Sequence, residues 1–93
     1  MPESAIDAAE LYDVWPVLSQ DERVEGFELL KREAADAFFL QLSARDRAQL
    51  VLSLPPGERR LWMRLLAPDD AVDVIQETPV EKREALLALF DEI

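Results

Sequence analysis

The 93-residue chain has no cysteine, no histidine and only two glycines, Gly26 and Gly57. Without cysteine there is no disulfide framework, thiolate nucleophile or iron–sulfur ligand. Without either residue type the usual zinc ligand sets are missing, as are triads that use histidine as their base. Only oxygen ligands remain for a metal, which points to Mg2+ or Ca2+. Positive charge is also scarce. Ten bases face 20 acids, a net charge of −10, which argues against nucleic acid as a partner because a phosphate backbone demands clustered positive charge. Apolar runs such as Ala37-Phe38-Phe39-Leu40 fall far short of the roughly 20 residues of a membrane span, so no direct membrane insertion is expected of this segment. The opening Met1-Pro2-Glu3-Ser4 lacks the basic region of a secretory signal. The expectation is a non-enzymatic, soluble single domain over residues 1–93, with 49% hydrophobic residues supplying a core and arguing against disorder.

What the sequence does have is a repeat. Leucines stand at 18, 30, 42, 54 and 66, an unbroken spacing of 12, and most are followed at once by a helix-start signal. Ser19 with Glu22 forms a capping-box pattern, in which the hydroxyl takes an orphan backbone N–H and the acid returns to the cap. Ser43 with Asp46 is a weaker version. Pro55-Pro56 and Ala67-Pro68 place proline where a first helical turn tolerates its missing donor. Thr78 with Glu81 reads as a further full box, one residue ahead of that phase. Nothing alternates as a strand would.

The spacing predicts an all-α chain of about seven short helices, at 5–15, 20–30, 33–42, 44–54, 56–66, 68–77 and 79–91. Each is about 13 Å long at 1.5 Å per residue. Helices this short are not stable alone and must be held by packing, chiefly on sequence neighbours. Such stacking gives a superhelical solenoid whose hand the pattern leaves open. Some units begin on small residues and an acid (Ala8-Ala9-Glu10, Ala34-Ala35-Asp36), others on an acid–base pair followed by an apolar tail.

Charge divides unevenly, at −7 over residues 1–42, +3 over 43–66 and −6 over 67–93. The arginines of the middle stretch, Arg45, Arg47, Arg59, Arg60 and Arg64, are expected to pair with acids on adjacent helices, or else to mark a docking surface. Asp69, Asp70 and Asp73 form the densest acid cluster, and Asp69 and Asp73 share a helical face. They are open to two readings: acids favoured at the positive helix end behind Pro68, or part of an oxygen-rich cation site. The large aromatic residues are expected in the core. Trp62 is the candidate for a partly exposed contact, since Leu61 and Leu65 would supply the buried stripe of its helix. No nucleophile stands out, because Ser4, Ser19, Ser43, Ser53 and Thr78 have no histidine to activate them and capping accounts for three of them.

Taken in order, Glu33-Ala34-Ala35-Asp36 through Leu42-Ser43, then Leu52-Ser53-Leu54-Pro55-Pro56-Gly57-Glu58-Arg59, then Pro68-Asp69-Asp70-Ala71-Val72-Asp73-Val74 resemble the N-terminal cytosolic domain of MgtE-type magnesium transporters. The individual pieces are common; their order at 12-residue spacing carries the likeness, from about Ile6 to Leu89. The resemblance implies a right-handed superhelix on the cytosolic side of the membrane. It also implies CBS domains of the same chain as partners, and a homodimer formed through the full-length protein. Mg2+ held between acidic faces of the two kinds of domain would favour the closed channel. By motif, the acids concerned would be Asp36, Asp69 and Asp73, with Asp70 beside them, and Mg2+ would be bound weakly or shared with the partner domain. The 93 residues hold no CBS or pore segment, so the chain is either a piece of a transporter or a separate protein using the same helical domain. The rival reading is a standalone interaction scaffold comparable to the helical-repeat region of the flagellar motor switch protein FliG.

Overall fold

A computed structural model of the chain describes residues 7–88. Among these residues there are seven α-helices and no strand: α1 Ala8–Val14, α2 Gln20–Leu29, α3 Arg32–Gln41, α4 Ala44–Ser53, α5 Pro56–Arg64, α6 Pro68–Gln76 and α7 Val80–Leu87. Their first residues, at 8, 20, 32, 44, 56, 68 and 80, are each 12 apart. The leucine period is therefore the period of the helix starts. The predicted beginnings at 5 and 6 and the predicted end at 89–91 lie outside the described residues.

The starts are set by local chemistry. Ser19 accepts a hydrogen bond from the Glu22 N–H at 3.1 Å while Glu22 Oε1 accepts from the Ser19 N–H at 2.8 Å, which satisfies two orphan donors of the first turn. Asp7 and Glu10 form a second full box that the sequence reading did not single out. Ser43 caps α4 through the Asp46 N–H at 3.1 Å. Pro56 and Pro68 each open a helix at its first position. Helix α1 stops early because Pro16 has no N–H to donate, and the chain turns through a 3-10 segment at Trp15–Val17.

Thr78 departs from expectation. The N-cap of α7 is Pro79, with no side-chain cap. Thr78 is instead buried, and its hydroxyl donates back to the Val74 carbonyl at 2.8 Å. A threonine at the end of a helix can reach the carbonyl four residues earlier. Pro79 thus restores the phase of the caps, and Thr78 occupies the phase of the buried leucines.

The chain divides into two compact units, Met1–Gln41 and Leu42–Ile93. In the first, α1 packs on α3. Phe38, fully buried, is the centre of its core. Trp15 meets it edge-on at 4.9 Å between ring centroids, Phe27 lies at 6.1 Å and Tyr12 at 6.3 Å. These are offset and edge geometries that the ring quadrupole favours. Arg23 lies with its guanidinium carbon 5.1 Å from the centroid of Trp15 and donates from Nε to the Trp15 carbonyl at 3.0 Å. Gly26 allows α2 to lie close to α1, since a methyl group there would stand 2.7 Å from Leu11 Cδ1.

In the second unit, α4 packs against both α5 and α6, and α6 against α7, so packing reaches the next helix but one as well as the immediate neighbour. Leu50, Val51, Leu54, Met63, Val74 and Leu86 are buried. Trp62 is buried with them, at 5% exposure, whereas Leu61 is 43% exposed. The expected contact role of Trp62 is therefore wrong. The inward stripe of α5 is Arg59, Trp62 and Met63, with buried Leu66 just past its end, which turns Leu61 outward.

The fourth residue of every helix faces inward: Leu11, Ala35, Arg47 and Ala71 are buried, and Arg23, Arg59 and Arg83 are half-buried. Arg59 donates from Nε to the Leu54 carbonyl at 3.3 Å and from Nη2 to the Leu52 carbonyl at 2.9 Å. Arg83, 24 residues later, donates from the same atoms to the Thr78 and Gln76 carbonyls, each at 3.0 Å. The expected pairing of Arg59 with an acid on an adjacent helix is thus replaced by a fork onto main-chain carbonyls. Leu52 and Gln76 lie in the last turns of α4 and α6, where the final acceptors have no intrahelical donor, and Leu54 and Thr78 lie just past those helices. Arginine suits the task because its planar fork reaches two acceptors at once.

Candidate acidic site

Helix α6 presents most of the predicted site. Ala71 and Val74 are buried, Ile75 is half-buried and Thr78 closes the inward stripe. This leaves Asp69, Asp70, Val72 and Asp73 exposed. Pro68 at the first position puts Asp69 and Asp70 in the first turn, where unsatisfied N–H groups favour negative charge. Asp73 follows Asp69 by one turn and Asp70 by three residues, so the three carboxylates crowd one side of the helix. The row continues to Glu77, exposed at the helix end, which sequence reasoning missed; its spacing of four from Asp73 was the available signal.

The mutual repulsion in this row is modest. Two unit charges about 6 Å apart in water repel by roughly 0.7 kcal/mol, an amount that the helix N-terminus offsets with its own attraction of about 0.3–1 kcal/mol. The cluster can therefore stand without a cation. Among the described residues no group of three or more acidic side chains is arranged to hold a metal ion. Mg2+ commonly takes one or two carboxylates and keeps its waters; α6 offers carboxylates at one-turn spacing on an exposed face.

Asp36 belongs to the other unit and is differently held. It lies in α3 between buried Ala35 and buried Phe38 and is one-third exposed, at 34%. Arg32, the first residue of α3, donates from Nε to Asp36 Oδ1 at 2.8 Å. The structure thus brings Asp69, Asp70 and Asp73 together on one helix and ties Asp36 to a cation of its own helix.

Hydroxyl groups are engaged elsewhere. Ser19 and Ser43 cap helices, Ser53 donates to the Gln49 carbonyl at 2.9 Å, and Thr78 closes α6. Capping therefore accounts for two of the candidate hydroxyls rather than three, and Ser4 lies outside the described residues.

Short helices begun every 12 residues, with acids on the outward side of one of them, define an all-helical chain with a 12-residue repeat. The family follows from comparison: a family model described as the MgtE intracellular N domain matches residues 6–93. The chain belongs to that family, a domain of magnesium transporters and not an enzyme family. No curated protein and no solved structure matches the chain significantly. No helix among the described residues is long and apolar enough to cross a membrane.

Proposed function

We propose that the chain is the regulatory cytosolic domain of a magnesium transporter and that its carboxylates contribute to Mg2+-dependent gating. The observation that carries this reading is the exposed Asp69–Asp73 pair, one turn apart on α6, in a chain of the MgtE N-domain family. Asp70 stands beside that pair, and Asp36 supplies a further carboxylate from α3. Because none of these forms a complete metal shell within the chain, the remaining ligands come from a partner surface, taken here to be the CBS domains of the same transporter, in a full-length homodimer.

The physics is a charge switch. Two acidic faces repel when bare, and divalent ions between them cancel the repulsion, so the cation concentration sets which domain arrangement is populated. A net charge of −10 strengthens that dependence. The family's description as an intracellular domain supports a cytoplasmic location.

The test has two levels. In the chain itself, Mg2+ titration is expected to shift the amide resonances of Asp69 and Asp73 more than those of Glu25 and Glu28, which are exposed on α2. In the transporter that carries the domain, Asp69→Asn with Asp73→Asn should raise the Mg2+ needed for closure by about fivefold or more, the lower end of typical coupling between sites. An unchanged Mg2+ dependence would reduce these acids to helix-start residues.

A further inference from the structure

We propose that the flank of α7 formed by Val80, Glu84 and Leu87 is a docking surface for a basic amphipathic helix of a partner, seated where a further helix of the repeat would stand. The first observation is a gradient of burial at one repeat position. Counted from each helix start, the eighth residue is Trp15, Phe27, Phe39, Val51, Met63, Ile75 and Leu87 in turn, each of them apolar. The first five are buried, Ile75 is half-buried and Leu87 is 48% exposed. Within the second unit the packing accounts for the gradient. Helix α4 has both α5 and α6 packed against it and buries Val51; α6 is followed by α7 alone and half-buries Ile75; α7 has no helix after it among the described residues. The element that covers this position elsewhere in the unit is a helix in repeat phase, and among the described residues Leu87 lacks it.

The second observation is what surrounds Leu87. Val80, Glu84 and Leu87 follow one another at spacings of four and three, so they share one side of α7, and all three are exposed, Val80 to 70%. Glu81, also exposed, borders that side three residues before Glu84. Lys82, two residues from both Val80 and Glu84, stands on the far side of the helix. Arg83 is half-buried and bonded to the Thr78 and Gln76 carbonyls. An apolar pair edged by carboxylates selects a partner whose own apolar stripe is edged by lysine or arginine, and it repels an anionic membrane surface. The surface is separate from the acids of α6. Asp69 and Asp73 are the second and sixth residues of that helix, turned away from its eighth, so the proposal stands whether or not those carboxylates respond to Mg2+.

The experiment titrates the isotope-labelled 93-residue chain with a synthetic helical peptide of leucine and lysine, about 14 residues long with its leucines on one face, and with the same peptide carrying glutamate in place of lysine. The lysine peptide is expected to shift the amides of Ile75, Val80, Glu84 and Leu87 more than those of Asp21, Glu25 and Glu28, which are exposed acids of α2. The glutamate peptide should leave both sets in place. Leu87→Gln should weaken the lysine peptide by about five- to tenfold. Val80→Gln should do the same and carries the test if circular dichroism shows that Leu87→Gln disturbs the fold. Glu84→Lys should weaken the lysine peptide by about two- to fivefold. Equal shifts on α2 and α7, erased together by salt, would reduce the binding to net charge and overturn the proposal. Equal binding of the glutamate peptide would overturn the basic character of the partner. Shifts at α7 that grow with chain concentration in the absence of peptide, together with a dimer in sedimentation, would make the occupant a second copy of the chain and overturn a separate partner. No shift at α7 up to millimolar peptide would overturn the docking surface itself.

Discussion

Replacing Arg59 with methionine separates two ways in which a helix-surface arginine can act. Methionine keeps an apolar stem of similar reach, so packing beside Trp62 is largely preserved, but the Leu52 and Leu54 carbonyls lose their donors. Hydrogen bonds from a charged donor contribute about 1.5–3 kcal/mol each. The longer of the two, at 3.3 Å, lies at the weak end, and Arg59 is only half-buried, so water partly replaces it. The expected loss for the pair together is about 1.5–3 kcal/mol. A chain of this length is stable by about 5–14 kcal/mol, so the loss is readily measured. In urea, with a slope of about 1–2 kcal/mol per molar, the midpoint should fall by about 0.8–3 M.

Equilibrium unfolding followed by tryptophan fluorescence and by circular dichroism measures it, with Trp15→Phe introduced in both proteins so that Trp62 is the sole tryptophan. Trp62 lies on the same helix as Arg59 and therefore reports the unit in question. An exposed ion pair would be worth only about 0–1 kcal/mol and would fade in 1 M salt, where the screening length is about 3 Å. The carbonyl fork predicts that the difference between wild type and Arg59→Met persists at 1 M NaCl, and that Arg59→Lys recovers less than half of it, since an ammonium cannot span both acceptors. A loss below about 0.5 kcal/mol, within the usual range for featureless surface substitutions, or one abolished by salt, would refute the fork.

Three further outcomes are expected from thermal or urea unfolding. Phe38→Ala removes the hub of the first unit's aromatic cluster and should cost about 3–5 kcal/mol; a cost below 2 would mean that the ring contacts with Trp15, Phe27 and Tyr12 are not tightly packed. Gly26→Ala gains about 1 kcal/mol of helix propensity but drives a methyl into Leu11, a clash costing about 1–3 kcal/mol; the net effect should be destabilising, and a stabilised variant would show that Leu11 can yield. Thr78→Val should cost about 0.5–1.5 kcal/mol through loss of the bond to the Val74 carbonyl, while Thr78→Ser retains the hydroxyl and should recover that part; a neutral Thr78→Val would show that the hydroxyl contributes nothing.

The helices and their phase follow from local signals along the chain. A cap or helix-opening proline acts within a single turn, and an apolar residue at the end of each unit acts within the next, so Ser19, Ser43, Pro56 and Pro68 announce starts without reference to the rest of the chain. Their spacing, repeated at 12, is also what carried the family likeness that the match over residues 6–93 established. The clustering of Asp69, Asp70 and Asp73 was legible for the same reason, since helical spacing alone puts them on one side of α6. Packing settles the groups whose partners are distant along the chain or which can choose between partners. Trp62 and Leu61 are neighbours of similar hydrophobicity, and packing among α4, α5 and α6 decides which turns inward. Thr78 has the composition of a cap but lies one residue out of phase, and burial sends its hydroxyl to Val74. Arginines at 23, 47, 59 and 83 share one phase in the sequence, yet charge counting assigns Arg59 to carboxylates. Only the geometry of the helix junctions shows that the unpaired carbonyls there are nearer and better aligned.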